Sequence, residues 1–322
     1  MTRYEYRSAF AGDIVAFLEF KEGVGISSNA RDWTLMRFDR WCAERGAESF
    51  DRETVEAFVL EWASRPSHTD TSWMPHIRQL GKFMRASGRA DAYVLPDGFG
   101  PSRPRPTPYL LEADEVDRFF EAAAALRMRV HTPWEWQATC FFGLMHSLGL
   151  RPGECRRLQR GDVDWDGGHV DIAASKAARS RRLPVTGEVI DMMRACDSRS
   201  EREIGCGRQA FFCTMRGTPV SVRRANDVFG RIWADAGLPR QKGGRRPTPY
   251  AFRHRFAYAN LERWAAEGRD VDSMLPYLSR YMGHATFSST YYYVHVSPDF
   301  MSGYADAVGG LDAILPEVGF DA

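Results

Sequence analysis

The 322-residue chain has no surplus of charge, with 43 Lys and Arg against 42 Asp and Glu. A polyanion partner would therefore need a local basic face, not an overall field. No C-x-x-C pair occurs among the six cysteines (Cys42, Cys140, Cys155, Cys196, Cys206 and Cys213). Such scatter fits reduced thiols in a cytosolic protein and argues against a disulfide frame or a zinc site. No apolar run approaches the roughly 18 residues that span a membrane. The opening MTRYEYRSAFAGDIVAF carries charges where a signal peptide needs an apolar core. There is also no P-loop, no G-x-G-x-x-G ahead of a helix and no acidic metal cluster beside the basic motifs described below. The expectation is a soluble cytoplasmic protein with no membrane partner.

Apolar residues make up 44% of the chain, enough for substantial cores, and the length suits two domains. The likeliest boundary is LPDGFGPSRPRPTPY, Leu95 to Tyr109, whose prolines and glycines favour an extended linker. This divides the chain into 1–94, a linker at 95–109, and 110–322.

The first part has a helical pattern. Phe10, Ile14, Phe17 and Leu18 recur at helix spacing, followed more loosely by Trp33, Met36, Phe38 and Trp41. Asp51 is a plausible N-cap for a helix with Val55, Phe58, Val59 and Trp62 on one side. Around Trp73 to Ser87, Ile77, Leu80 and Met84 form an apolar stripe, while Arg78, Lys82, Arg85 and Arg89 form a basic one. The basic stripe is either a solvated face or a surface that tracks phosphates.

In the second part helices are expected from Glu112, over Trp134 to Leu148, and near Glu188–Cys196, Val222–Ala236, Arg253–Trp264 and Val271–Tyr281. DVDWDGGHVDIAAS alternates about an Asp166-Gly167-Gly168 turn, and SRRLPV supplies a further strand. The fold class is therefore mainly α with a small antiparallel β-sheet.

Four stretches concentrate the chemistry. In HSLGLRPGECRRL, Arg151 precedes Pro152 at a helix N-terminus, where backbone N–H groups favour an anion; it could instead simply pair with Glu154. ASKAARSRRLPV sets Lys176 near a hairpin tip, followed by Arg179, Arg181 and Arg182. RRPTPYAFRHRFAYANL leads into a helix bearing Arg253, His254 and Arg255, with Phe252 and Phe256 as its buried stripe. MGHATFSSTYYYVHV places Tyr291, Tyr292 and Tyr293 side by side between His284 and His295. Cationic donors with a phenol can handle phosphate without a metal, since tyrosine can attack phosphorus.

In the right order over about residues 107 to 300, these stretches resemble the tyrosine recombinase (phage integrase) family. GLRPGEC is similar to its first arginine box, and K-x4-R-R-L-P-V to its hairpin lysine and R-x-x-P. PYAFRHRFA is similar to the H-x-L-R-H box, and MGHATFSSTYYYVHV to L-G-H-x8-Y-x-H. The first part more faintly resembles the family's helical core-binding domain, and the second its catalytic domain. In the family box the nucleophile lies nine residues after the histidine, which is Tyr293. A helical stripe of Phe287, Tyr291 and Val294 would leave Tyr293 on another face. Tyr250 stands where the second box usually begins with histidine, and with a pKa near 10 it is a poorer base than imidazole. His254 is not read as the replacement, because members commonly carry a histidine there too.

The resemblance implies a site-specific recombinase that cuts and rejoins DNA through a 3′-phosphotyrosine. Tyr293 would attack, Arg151 and Arg253 grip the phosphate, His284 donate to it, Lys176 protonate the leaving 5′-oxygen and Tyr250 support the site. No cofactor, ATP or metal is required. The partner would be double-stranded DNA, held as in a clamp between the domains, with a homotetramer at synapsis and a nucleoid location. DNA contacts are expected from Arg78, Lys82, Arg85 and Arg89, from Arg179, Arg181 and Arg182, and from the run Arg240, Lys242, Arg245 and Arg246, weakening steeply with salt. A type IB topoisomerase-like enzyme, or a DNA-binding accessory protein impaired through Tyr250, are the alternatives.

Overall fold

The computed structural model describes residues 4–26, 28–64, 71–99, 108–173, 180–205, 207–239, 247–284, 288–291 and 293. The chain divides into two compact units, Met1–Arg105 and Pro106–Ala322. Leu95 is buried in the core of the first and Tyr109 in that of the second, so both ends of the expected linker belong to folded cores.

The first unit is helical among its described residues: α1 (Ala11–Gly23), α2 (Asn29–Arg45), α3 (Arg52–Ala63) and α4 (Met74–Ala86). Helices α1, α3 and α4 bury the stripes their spacing dictates, while in α2 Met36, Phe38 and Trp41 are buried and Trp33 only partly so. Ile14, Phe17 and Leu18 point inward from α1, Val55, Phe58, Val59 and Trp62 from α3, and Ile77, Leu80 and Met84 from α4. Asp51 caps α3 by accepting the Thr54 N–H at 2.9 Å. Aromatic rings dominate this core, with Phe38 edge-on to Phe58 at 5.1 Å. Buried Asp39 accepts from the Ser8 N–H and hydroxyl and from the Arg7 N–H, anchoring the entering chain.

The second unit begins with α5 (Ala113–Ala124), α6 (Trp134–Leu148) and the single-turn α7 (Pro152–Arg157). An antiparallel sheet follows, in order β1 (Val163–Asp164), β2 (His169–Ile172), β3 (Arg181–Pro184). Val170 faces Val163 on one side and Leu183 on the other, so the register puts all three apolar residues on the buried face. Then come α8 (Gly187–Ile204), α9 (Val222–Asp235), α10 (Tyr250–Ala266), α11 (Val271–Met282) and the short α12 (Ser288–Tyr291).

Helix α6 is buried on nearly every side and packs against α5, α8 and α10. Phe119 joins these layers, with its ring 4.9 Å from Phe252 on α10 and 5.3 Å from both Phe142 and Phe229. Helix α8 runs eight residues past its expected end at Cys196, although DSRSEREI has no apolar stripe. Polar contacts hold that extension instead: Asp197 takes Arg160 and Arg208, and the Ser200 hydroxyl accepts from Trp136 Nε1 at 2.8 Å. Among the described residues no helix is long and apolar enough to cross a membrane.

Candidate active site

The site is built on the end of α11. The last carbonyls of a helix have no intrahelical partner and carry the negative end of its dipole. Gly283, at φ +65°, turns the chain left-handed, and the Gly283 and His284 N–H groups close back on Arg280 and Ser279 at 3.0 Å each. The next three carbonyls, of Tyr281, Met282 and Gly283, are taken by arginines from elsewhere in the unit. Arg181 Nε donates to Tyr281 at 2.7 Å, Arg253 Nη2 to Met282 at 2.7 Å, and Arg151 to Met282 and Gly283 at 3.3 and 2.7 Å. The sequence brings three cations to one helix end because that end has unsatisfied acceptors.

Arg151 arrives by way of Gly149, whose φ of +60° ends α6 in a left-handed turn. A side chain there would stand 2.4 Å from Phe256, so the turn requires glycine. Arg151 caps α7, and Glu154 lies three residues on, so the fork between pairing with Glu154 and joining a cationic site resolves as both. Arg253 comes from the first turns of α10 and is only 2% exposed; besides Met282 it donates Nη1 to the carbonyl of Gly149. Burial, with Arg151 close by, brings its guanidinium down to about 10, while Glu154 and Tyr293 pull the other way. It remains charged at neutral pH.

Buried Glu154 organises the cations. It accepts Arg151 Nη1 and the Arg151 N–H at 2.8 and 2.9 Å and both terminal nitrogens of Arg181 at 3.1 and 2.9 Å. Burial pushes its carboxyl up, but the Arg181 and Arg151 bonds outweigh that and hold it at about 2. One carboxylate thus offsets part of a triple positive charge while leaving the site cationic.

The phenol stands beside this cluster. Tyr293 is 4% exposed, and its hydroxyl lies 3.0 Å from His254 Nδ1. His284 lies with its ring nearly parallel to Tyr293, 19° and 6.3 Å between centroids, and its Nδ1 is 2.6 Å from the buried Thr290 hydroxyl. Burial and the arginines Arg253, Arg151 and Arg181 lower His284 to about 3; burial and Arg253 lower His254 to about 4. Both imidazoles are neutral at pH 7. Two bidentate-capable cations, a neutral imidazole and a phenol in one place can bind a phosphodiester and attack it.

The comparisons with known proteins identify the family. The family model described as the Phage integrase family matches residues 110–299, a span that holds every one of these groups. The chain belongs to the phage integrase family. It is a tyrosine-type site-specific recombinase, 30% identical to the putative integrase/recombinase y4rB of Sinorhizobium fredii over 91% of this chain and 95% of that protein. It is 26% identical to tyrosine recombinase XerA of Thermococcus kodakarensis, over 75% and 82% of the two chains. Among solved structures, the XerH site-specific recombinase bound to palindromic difH substrate, a post-cleavage complex, is similar in fold: TM-score 0.64 at 16% identity, covering 86% of this chain and 78% of that one. The Tn1549 transposon integrase in complex with transposon right end DNA gives 0.59 at 15% identity, over 92% and 99%.

Within the recombinase frame, Arg151, Arg253, His284 and Tyr293 come together. Tyr250 lies at the rim, 45% exposed, with its ring 6.4 Å from that of His254. Tyr291, expected on a packing stripe, is 41% exposed; Phe287 and Val294, the other members of that stripe, lie outside the described residues. Tyr293 lies past the helix, in a turn closed by its N–H on Thr290 O at 3.0 Å.

The expected DNA-contacting arginines are drawn partly inward. Arg181 is not on a basic surface; its side chain is 9% exposed and grips Glu154. Arg78 donates to Leu95 and Pro96 carbonyls and pairs with Asp97 at 2.9 Å, and Arg89 pairs with Asp13. The acidic partners missing from the α4 stripe itself are supplied by distant residues. Arg85 donates Nε to Ala92 O but stays exposed, as does Lys82. Arg182 is exposed and pairs with Asp171 on the neighbouring strand. Lys176, Arg179, Arg240, Lys242, Arg245, Arg246, Tyr292 and His295 lie outside the described residues.

Three further residues belong to this cluster: Glu154, His254 and Thr290. The spacing Arg151-x-x-Glu154 at a helix start was a legible sign of a capping pair; nothing local marked the other two.

Proposed function

We propose that the chain breaks and rejoins double-stranded DNA through Tyr293, forming a 3′-phosphotyrosine and releasing a 5′-hydroxyl. Arg151 and Arg253 hold the non-bridging oxygens with the planar forks that a lysine lacks. His284 donates a hydrogen bond to the same phosphate. Lys176 protonates the leaving 5′-oxygen, and Tyr250 supports the rim. A 5′-hydroxyl from a second strand reverses the step, so the bond energy is conserved and neither ATP nor metal is called for.

The observation that carries this reading is the meeting of Arg151 and Arg253 on the Met282 carbonyl, with the Tyr293 oxygen held on the neighbouring His254. The helical first unit would serve as the core-binding domain. Lys82, Arg85, Arg89 and Arg182, with Arg179, Lys242, Arg245 and Arg246, are the proposed contacts to DNA phosphates. Assembly as a homotetramer on paired sites, at the nucleoid, completes the proposal.

Incubating the protein with fragmented genomic DNA under denaturing quench traps covalent complexes, and sequencing the junctions gives the site. On a nicked duplex rebuilt from that site, the native protein forms a covalent adduct and Tyr293→Phe binds without forming one. An adduct with Tyr293→Phe, or none with the native protein, overturns the proposal.

A further inference from the structure

Tyr293 has a half-buried acceptor for its proton. We infer that His254 is the catalytic base that receives the Tyr293 phenolic proton through Nδ1 as the oxygen attacks phosphorus. This rests on the function proposed above and assigns a role to a residue outside the set named there.

The geometry supports the assignment in three ways. The separation of 3.0 Å between His254 Nδ1 and the Tyr293 hydroxyl is within direct proton-transfer reach. The other imidazole, His284, is engaged at Nδ1 by Thr290, and its ring runs nearly parallel to that of Tyr293 with 6.3 Å between centroids. Tyr250 is half in solvent and sits one helical turn before His254 on the same face of α10. The imidazole therefore lies one turn deeper than Tyr250, next to the nucleophile.

The step balances. The Tyr293 O–H bond breaks as His254 gains an N–H bond; the oxygen–phosphorus bond forms as the bond to the 5′-oxygen breaks, that oxygen taking its proton from the proposed Lys176 acid. Rejoining returns the His254 proton to Tyr293. In the DNA-free site His254 is a weak base, held down by burial and by adjacent Arg253. A phosphate anion on Arg253 offsets that charge and raises the basicity of His254, so proton removal is favoured once substrate is bound.

Two substitutions separate the base from a mere positioning contact. His254→Asn keeps a side-chain acceptor near the Nδ1 position but cannot take up a proton; His254→Ala removes both. On the nicked duplex recovered with native protein, adduct formation should fall by about 10²–10⁴-fold in each variant, with DNA affinity by gel shift unchanged. Replacing Tyr293 with a more acidic trifluorotyrosine should restore much of the rate in His254→Asn while changing the native enzyme little. Added imidazole should raise the rate of His254→Ala with concentration, which decides the matter if the Asn variant folds poorly. His254→Asn cleaving within about threefold of native, or a slow variant rescued by neither treatment, would overturn the inference while leaving the recombinase reading intact. A native protein that forms no adduct at all overturns both.

Discussion

Arg151 and Arg253 share one acceptor, the carbonyl oxygen of Met282, which takes Nη1 of the first at 3.3 Å and Nη2 of the second at 2.7 Å. Two like charges are brought together where a helix end is electronegative and a buried carboxylate lies alongside. Arg253 also spans to Gly149 with its other nitrogen. An ammonium cannot bridge two such carbonyls in one plane. Arg253→Lys is therefore expected to retain the fold and lose about 10²–10³-fold in the rate of adduct formation, the usual cost of an electrostatic donor. Single-turnover cleavage of a nicked duplex measures it, and a near-native rate would contradict the role.

Glu154 is the single carboxylate bonded to both Arg151 and Arg181 among the described residues. Removing it leaves buried cations uncompensated, so Glu154→Gln should lower stability by about 3–5 kcal/mol in urea unfolding. The pH dependence has a definite sign. The folded carboxyl titrates at about 2 and the unfolded one near its ordinary 4.5. Its contribution is thus complete above pH 4.5 and is lost as pH falls through 2. Glu154→Gln should flatten that acid limb.

The two depressed histidines act at higher pH. His254 at about 4 and His284 at about 3 stay neutral in the fold, while unfolded histidines take up protons below 6.5. Stability should therefore fall as pH drops from 6.5 toward 3, because the unfolded chain binds more protons. His284→Asn should reduce the slope between pH 6 and 4 in the same measurement; an unchanged slope would show that His284 is not buried neutral.

Much of the scaffold was legible because short-range periodicity dictates it. The apolar stripes of α1, α3 and α4 and the Asp51 cap are local patterns, and α6 covers its expected residues, Trp134 to Leu148. Four boxes in order named Arg151, Arg253, His284 and Tyr293, which the fold brings together. What failed depended on distant partners. The inward turn of Arg181 and Arg78 is decided by which carbonyls and carboxylates other elements leave unsatisfied. Tyr291 is exposed where packing was expected, and His254 could be recognised only once the chain placed Tyr293 against it.

Gly149 couples the fold to the site. A methyl at its φ of +60° costs about 1–2 kcal/mol in the left-handed region. Crowding against Phe256 should add about 1–3 kcal/mol. Gly149→Ala should therefore unfold at clearly lower urea and cleave more slowly, since its carbonyl orients Arg253. Adding Phe256→Ala should relieve the crowding but not the backbone strain, giving a partial recovery of stability.

The most direct measurement is to digest the trapped protein–DNA complex and locate the nucleotide-bearing residue by mass spectrometry. The expected result is a single modified tyrosine, Tyr293, whose hydroxyl is the one held on His254. A nucleotide on exposed Tyr291, or on any tyrosine other than Tyr293, would contradict it.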